Sequence, residues 1–177
     1  EDILAPDQYE SNVEIRKGSQ ERVEFAVRLP GHQEGSPVHL PIDSKFPQED
    51  YERLLQAQES GDREAVDAAG QALEKAVILQ ARTISSKYIA PPASTDFAIL
   101  YLPTEGLFAE VISRPGLASR LQTQYRVMVT GPTTLMSLLN SLQMGFRSVA
   151  IEKRSSEVWQ VLSAAKAEFA KYGQVWE

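Results

Sequence analysis

Asp43 and Lys45 are the residues of this sequence whose types and spacing best suit chemistry, with Glu24 as a third. Two apart on an extended strand, Asp43 and Lys45 point to the same face, about 7 Å apart along the backbone. Two carboxylates a few ångströms apart, here Glu24 and Asp43, make an oxygen-ligand site for Mg²⁺ or Mn²⁺. Such an ion keeps several waters and shares its remaining positions with phosphate. A lysine beside them orients or helps to deprotonate an attacking water, while the bound metal polarises the phosphoryl oxygen. This is the logic of phosphodiester hydrolysis. The spacing also fits a solvated ion pair on the open face of a hairpin, which is the commoner origin of an Asp-x-Lys string.

The elements that must position these residues are legible from periodicity. Val23, Phe25, Val27 and Leu29 alternate with polar residues and predict a strand, which Pro30-Gly31 ends. After the loop through Gly35-Ser36-Pro37, Val38, Leu40 and Ile42 alternate again and are expected to point inward. The two strands read as an antiparallel hairpin. Glu24 lies on the polar face of the first and Asp43 and Lys45 on the face of the second that is turned from the core, so the three can gather at one edge of the sheet. At most a short strand is expected before them, near Val13 to Ile15.

Beyond Phe46-Pro47 the pattern becomes helical. Gln48 to Ser60 and Asp62 to about Tyr88 are rich in Ala, Glu, Gln and Leu, separated by Gly61 and closed by Pro91-Pro92. The apolar run Phe97 to Leu102 predicts a strand buried on both faces. Thr104 to about Ile112 and Pro115 to Tyr125 read as helices, and Arg126 to Thr130 as a strand. Pro132 opens a helix at the favoured first position, and Met136 to Tyr172 is one long bent helix or two. A hairpin followed by strands alternating with helices gives an α/β domain with a mixed sheet.

Composition sets limits on these readings. The 177 residues are 42% hydrophobic, enough for one compact domain with a core. There is no cysteine, hence no disulfide framework and no thiolate metal site. No stretch approaches the roughly 18 apolar residues of a membrane-spanning helix, no signal-peptide pattern is present, and a cytoplasmic location is expected. The first residue is Glu1, and the expectation is a piece of a longer protein. A net charge of -6 and a pI near 5.1 do not advertise nucleic-acid binding by charge. An enzyme that meets DNA through metal ions and one groove can still be acidic.

Several longer strings resemble the RmuC family of DNA recombination proteins. They are Arg22 to Pro30, Leu40 to Pro47 followed by Asp50-Tyr51, Lys87 to Pro92, Leu102 to Leu107, Thr130 to Leu135 and Gln143 to Arg147. The resemblance covers essentially the whole chain. It implies a restriction-endonuclease-like fold of the PD-(D/E)XK class, in which one strand supplies an acid and the next an acid-x-Lys. On that reading residues 1–177 form a single nuclease-like core domain that cleaves DNA with Mg²⁺ or Mn²⁺. Glu24 and Asp43 are then metal ligands, and Lys45 positions the water. Asp43-Ser44-Lys45 matches the class fully, whereas Arg22-Val23-Glu24 departs from the Arg-Pro-Asp wording of many members. The family's upstream Gly-Glu-containing helix, with a further acid, has no counterpart in this sequence, which keeps open a DNA-binding or scaffold module that does not cleave. DNA is the implied partner, and homo-oligomerisation through flanking helices outside this sequence is compatible with the family.

Other residues carry less. His39 shares the face of Asp43 but reads better as a partly exposed strand histidine, and His32 has no assigned role. Thr130 to Thr134 lacks the Gly-Lys-Ser/Thr ending of a nucleotide loop, although the amides of the helix opened by Pro132 could bind a DNA phosphate. Glu105 and Glu110 fit helix-end and surface charges as well as ligands. Arg147, Lys153 and Arg154 form the best basic patch for a DNA backbone, equally explained as a solvated helix face, and Trp159 reads as a packing residue.

Overall fold

The structure is a computed structural model. It describes the backbone of residues 3–30 and 37–173 and, on the last helix, the side chains of 132–149, 158, 160, 161 and 163. The elements are β1 (Tyr9–Val13), β2 (Val23–Leu29), β3 (Val38–Ser44), α1 (Gln48–Ser60) and α2 (Arg63–Tyr88). They continue as β4 (Ala98–Tyr101), α3 (Glu105–Ser113), α4 (Leu117–Tyr125), β5 (Val127–Thr130) and α5 (Pro132–Gly173). Internal contacts divide the chain into Glu1–Ser137, with the sheet and α1–α4, and Leu138–Glu177, whose described part is helix.

The five strands form one mixed sheet in the order β1-β2-β3-β4-β5. The first two pairings are antiparallel and the last two parallel, as connection lengths require. Short stretches of chain separate β1 from β2 and β2 from β3, whereas the α1–α2 and α3–α4 segments carry the chain back to start β4 and β5 in the same direction. This is an α/β fold with a mixed sheet, as the alternation predicted.

Local signals explain the helices. Gly61, at φ 70, closes α1 in the left-handed region that glycine enters at little cost. The Asp62 carboxylate then caps α2 by accepting from the amides of Glu64 and Ala65 at 3.0 and 3.3 Å. Leu73, Val77, Ala81, Ile84 and Tyr88 recur at helical spacing on α2 and are buried with Ala26, Ala98, Leu100 and Val127 of the sheet. Ile99 is also buried, so β4 is covered on both faces.

Two expectations are corrected and one alternative is decided. The first strand lies at Tyr9–Val13 rather than near Val13 to Ile15, because Tyr9 pairs with Val27 and stacks on Phe25, their ring centroids 5.1 Å apart. Ile15 is instead buried in the core. β3 is central, with β4 hydrogen-bonded on its far side, so its residues do not stand at a sheet edge. The segment from Met136 is one helix, α5, continuous from Pro132 to Gly173. Among the described residues no helix is long and apolar enough to cross a membrane.

Candidate functional site

The β2–β3 register pairs Phe25 with Ile42, Ala26 with Pro41 and Val27 with Leu40. One further step along both strands sets Glu24 opposite Asp43. Residues directly opposite in an antiparallel pair share a face, their Cβ atoms about 5 Å apart. That face holds Ala26 and, on β4, Leu100, the register partner of Asp43. It is the face covered by α2. Asp43 is therefore turned toward the main core rather than away from it, and it is only 1% exposed. The sequence misled because Leu40 and Ile42 are buried too: a strand covered on both faces gives alternation no outward side.

Asp43 has little to satisfy it there. The Lys45 ammonium lies 2.8 Å from Asp43 Oδ2 and also donates to the Ser44 carbonyl at 3.3 Å. Neither Asp43 oxygen accepts an aligned hydrogen bond from the described residues. A buried polar atom without a partner costs the full loss of its hydration. Lys45 is 37% exposed and reaches from the carboxylate toward solvent. Its own burial works to lower its pKa. The contact with Asp43 outweighs this, with help from the charge of Glu24, and the pKa ends above the ordinary 10.5. Glu24 itself is exposed, so the pair combines a buried carboxylate with one open to water.

The rim of the site comes from the end of α2, whose residues the sequence reading passed over. Tyr88 is buried, and its hydroxyl donates to the Arg22 carbonyl at 3.1 Å. Burial and then the Asp43 charge raise the phenol above its ordinary 10.0, against the opposing pull of Lys87 and Lys45. Lys87 Nζ is 2.8 Å from Glu21 Oε2, and this hydrogen bond raises the Lys87 pKa. The signal was available: Lys87-Tyr88 opens one of the family strings, but helical spacing marks Tyr88 as core, and nothing local ties it to Arg22, 66 residues away.

The remaining candidates resolve into structural roles. His39 Nε2 lies 2.6 Å from Glu10 Oε2 on β1, in keeping with a partly buried strand histidine. Glu105 Oε1 accepts from the Thr133 amide at 2.6 Å, so the start of α5 already holds a carboxylate where a DNA phosphate was envisaged. Glu110 pairs with Arg114 at 3.0 Å. Arg147 is exposed on α5, while the side chains of Lys153, Arg154 and Trp159, and all of His32, lie outside what the structure describes.

Among the described residues no group of three or more His, Cys, Asp or Glu side chains is placed to hold a metal ion. The donor set is two carboxylates, one of them buried with Lys45 at one oxygen and no partner among the described residues at the other. That suits a hard divalent cation that completes its shell with water and phosphate oxygens.

Fold and site together define an α/β domain with an acid-x-lysine strand facing an acid on its neighbour. The RmuC family model matches residues 1–177, and the chain belongs to the RmuC family. It is 58% identical over 175 residues to proteins named DNA recombination protein RmuC homolog from Xylella fastidiosa strains Temecula1 and 9a5c. The alignments cover 98% of this chain and 38% of each relative, so the chain spans well under half their length. No solved structure matches it significantly.

Proposed function

We propose that this chain is the core of a DNA recombination protein and carries a Mg²⁺- or Mn²⁺-dependent endonuclease site of the restriction-enzyme-like class. The observation that carries the reading is the Asp43 carboxylate, buried, faced by Glu24, with Lys45 at its Oδ2 and no partner at its Oδ1 among the described residues. Folded chains satisfy nearly all buried polar groups, and one left open beside a second acid and a lysine has the properties of a ligand site. Glu24 and Asp43 would hold the cation, which when bound supplies Lewis-acid polarisation of a phosphoryl oxygen. Lys45, an ammonium whose stem emerges from the core, would donate to the attacking water or a non-bridging phosphate oxygen and fix its line of approach.

The relatives' names support a recombination role, and DNA is the substrate that role implies. The test is cleavage of several DNA structures (linear duplex, single strand, flap and junction) by wild type and Asp43→Ala. Divalent-dependent cleavage by wild type alone supports the reading, and equal activity in the variant overturns it. A second reading, a DNA-binding scaffold that keeps the fold without cleaving, is favoured by the lack of a third acid among the described residues. Metal-independent DNA binding with no cleavage of any structure would select it.

A further inference from the structure

We propose that Tyr88 is a positioning residue for the carboxylate pair, holding the main chain before Glu24 so that Glu24 stands across from Asp43 for a shared divalent cation. The inference rests on the metal-site reading above and deepens it. Glu24 needs such support more than Asp43 does. Asp43 lies on the central strand, between β2 and β4. Glu24 is the second residue of β2, next to a segment, residues 14–22, without regular pairing.

That segment is gripped by the end of α2 at three points. Arg16 Nη2 donates to the Ile89 carbonyl at 2.8 Å, Lys87 pairs with Glu21 at 2.8 Å, and the Tyr88 hydroxyl donates to the Arg22 carbonyl at 3.1 Å. The Tyr88 bond is closest to Glu24, only two residues before it. It is also the most sheltered of the three, since Tyr88 is buried whereas the Arg16 bond is exposed. A donor in this position fixes the peptide from which β2 departs, and with it the direction of the Glu24 side chain. The same phenol lies within the field of Asp43, whose charge helps to raise its pKa. Groups that orient metal ligands without touching the metal typically change affinity by about tenfold or more when removed.

The experiment is Mn²⁺ titration by electron paramagnetic resonance on the full chain, with thermal melts of the same samples. Tyr88→Phe keeps the buried ring and removes only the hydroxyl. The expected result is a Mn²⁺ dissociation constant raised about tenfold, in protein that stays folded at the assay temperature. Because the effect acts through Glu24, the same change in a Glu24→Ala background should add nothing, a non-additivity that a general loosening of the fold would not produce. Excess Mn²⁺ should then restore the cleavage rate of Tyr88→Phe but not that of Asp43→Asn. Wild-type affinity in Tyr88→Phe, or an equal loss in both backgrounds, overturns the inference and leaves the metal site standing. Failure of wild type itself to bind Mn²⁺ overturns the metal site and the inference with it. If Tyr88→Phe does not fold, Arg16→Met releases a different tie of the same grip. It should shift Mn²⁺ affinity in the same direction, and an unchanged affinity there counts against the inference.

Discussion

Asp43 and Glu105 are carboxylates in two motif-bearing corners of one compact unit, and the fold treats them in opposite ways. Glu105 is exposed on the first turn of α3, yet it is fully employed: its carboxylate accepts from the Thr133 amide at 2.6 Å and closes the start of α5. Asp43 is buried, where a partner matters most, and accepts no aligned hydrogen bond among the described residues. A fold selected only for stability would satisfy the buried group first. The Leu102 to Leu107 and Thr130 to Leu135 strings are accounted for by packing and capping, apart from the buried Thr130 hydroxyl, which has no partner among the described residues. The Leu40 to Pro47 string leaves a buried charge that packing does not account for.

The largest effect expected from this contrast is at Asp43. Asp43→Asn should abolish Mn²⁺ binding in calorimetry and cleavage in a nuclease assay, because it removes a formal charge from a hard-cation site. Its unfolding midpoint should stay level or rise. The substitution discharges a buried group whose one charged partner among the described residues is Lys45, and the released Lys45, 37% exposed, can turn to water. A midpoint that falls by many degrees would mean that the Asp43–Lys45 pair holds the fold together, and the contrast with Glu105 would collapse.

Lys45→Ala comes next. Cleavage should fall by orders of magnitude while Mn²⁺ binding survives, since Lys45 is not a ligand. Stability should fall by about 1–3 kcal/mol, because the change leaves the 1%-exposed Asp43 carboxylate without its ammonium partner. Wild-type cleavage in this variant would remove the site from the nuclease reading and favour the scaffold.

How much of this was legible beforehand depended on sequence distance. The β2–β3 hairpin, both long helices and the buried β4 follow from local alternation and helical spacing, and the structure has them within a residue or two. The contact of Asp43 with Lys45 was legible as well, because two residues on one strand share a face. The direction of that face was not. It depends on what covers each side of β3, and Leu40, Ile42 and Asp43 are all buried, which no periodicity distinguishes. The central position of β3 was hidden for a related reason, since the pairing with β4 joins Ile42 to Ile99 across two intervening helices. Tyr88 escaped notice because its place at helical spacing with Ile84 and Ala81 describes its ring, while the function inferred for it lies in its hydroxyl.

The packing side of the comparison is tested at Gly131. A Cβ there would lie 2.8 Å from Phe108 Cγ and 2.9 Å from Glu105 Oε2, so the backbone at the start of α5 approaches α3 more closely than any other residue permits. Gly131→Ala should cost about 1–3 kcal/mol by overpacking, read by denaturant unfolding, with Mn²⁺ affinity unchanged. A loss of metal binding at equal stability would tie this corner to the site after all.

The smallest effect is expected from Glu105→Gln, and its pH dependence separates charge from shape. The hydrogen bonds to Thr133 hold the Glu105 carboxyl below its ordinary 4.5, and the helix start favours the anion. A carboxylate whose pKa is lower in the folded state stabilises fully above the unfolded value. That contribution disappears as pH falls through the folded value. Glutamine keeps the accepting oxygen but never carries the charge. Wild type should therefore melt slightly higher than Glu105→Gln at neutral pH, and the two curves should converge as pH drops well below 4.5. Salt should narrow the gap at neutral pH, because the interaction is exposed and screened. A gap that persists in acid would show that the shape of the carboxylate matters rather than its charge. A change in Mn²⁺ affinity would mean that the two carboxylates are not independent, and the separation between packing motif and chemical motif would have to be redrawn.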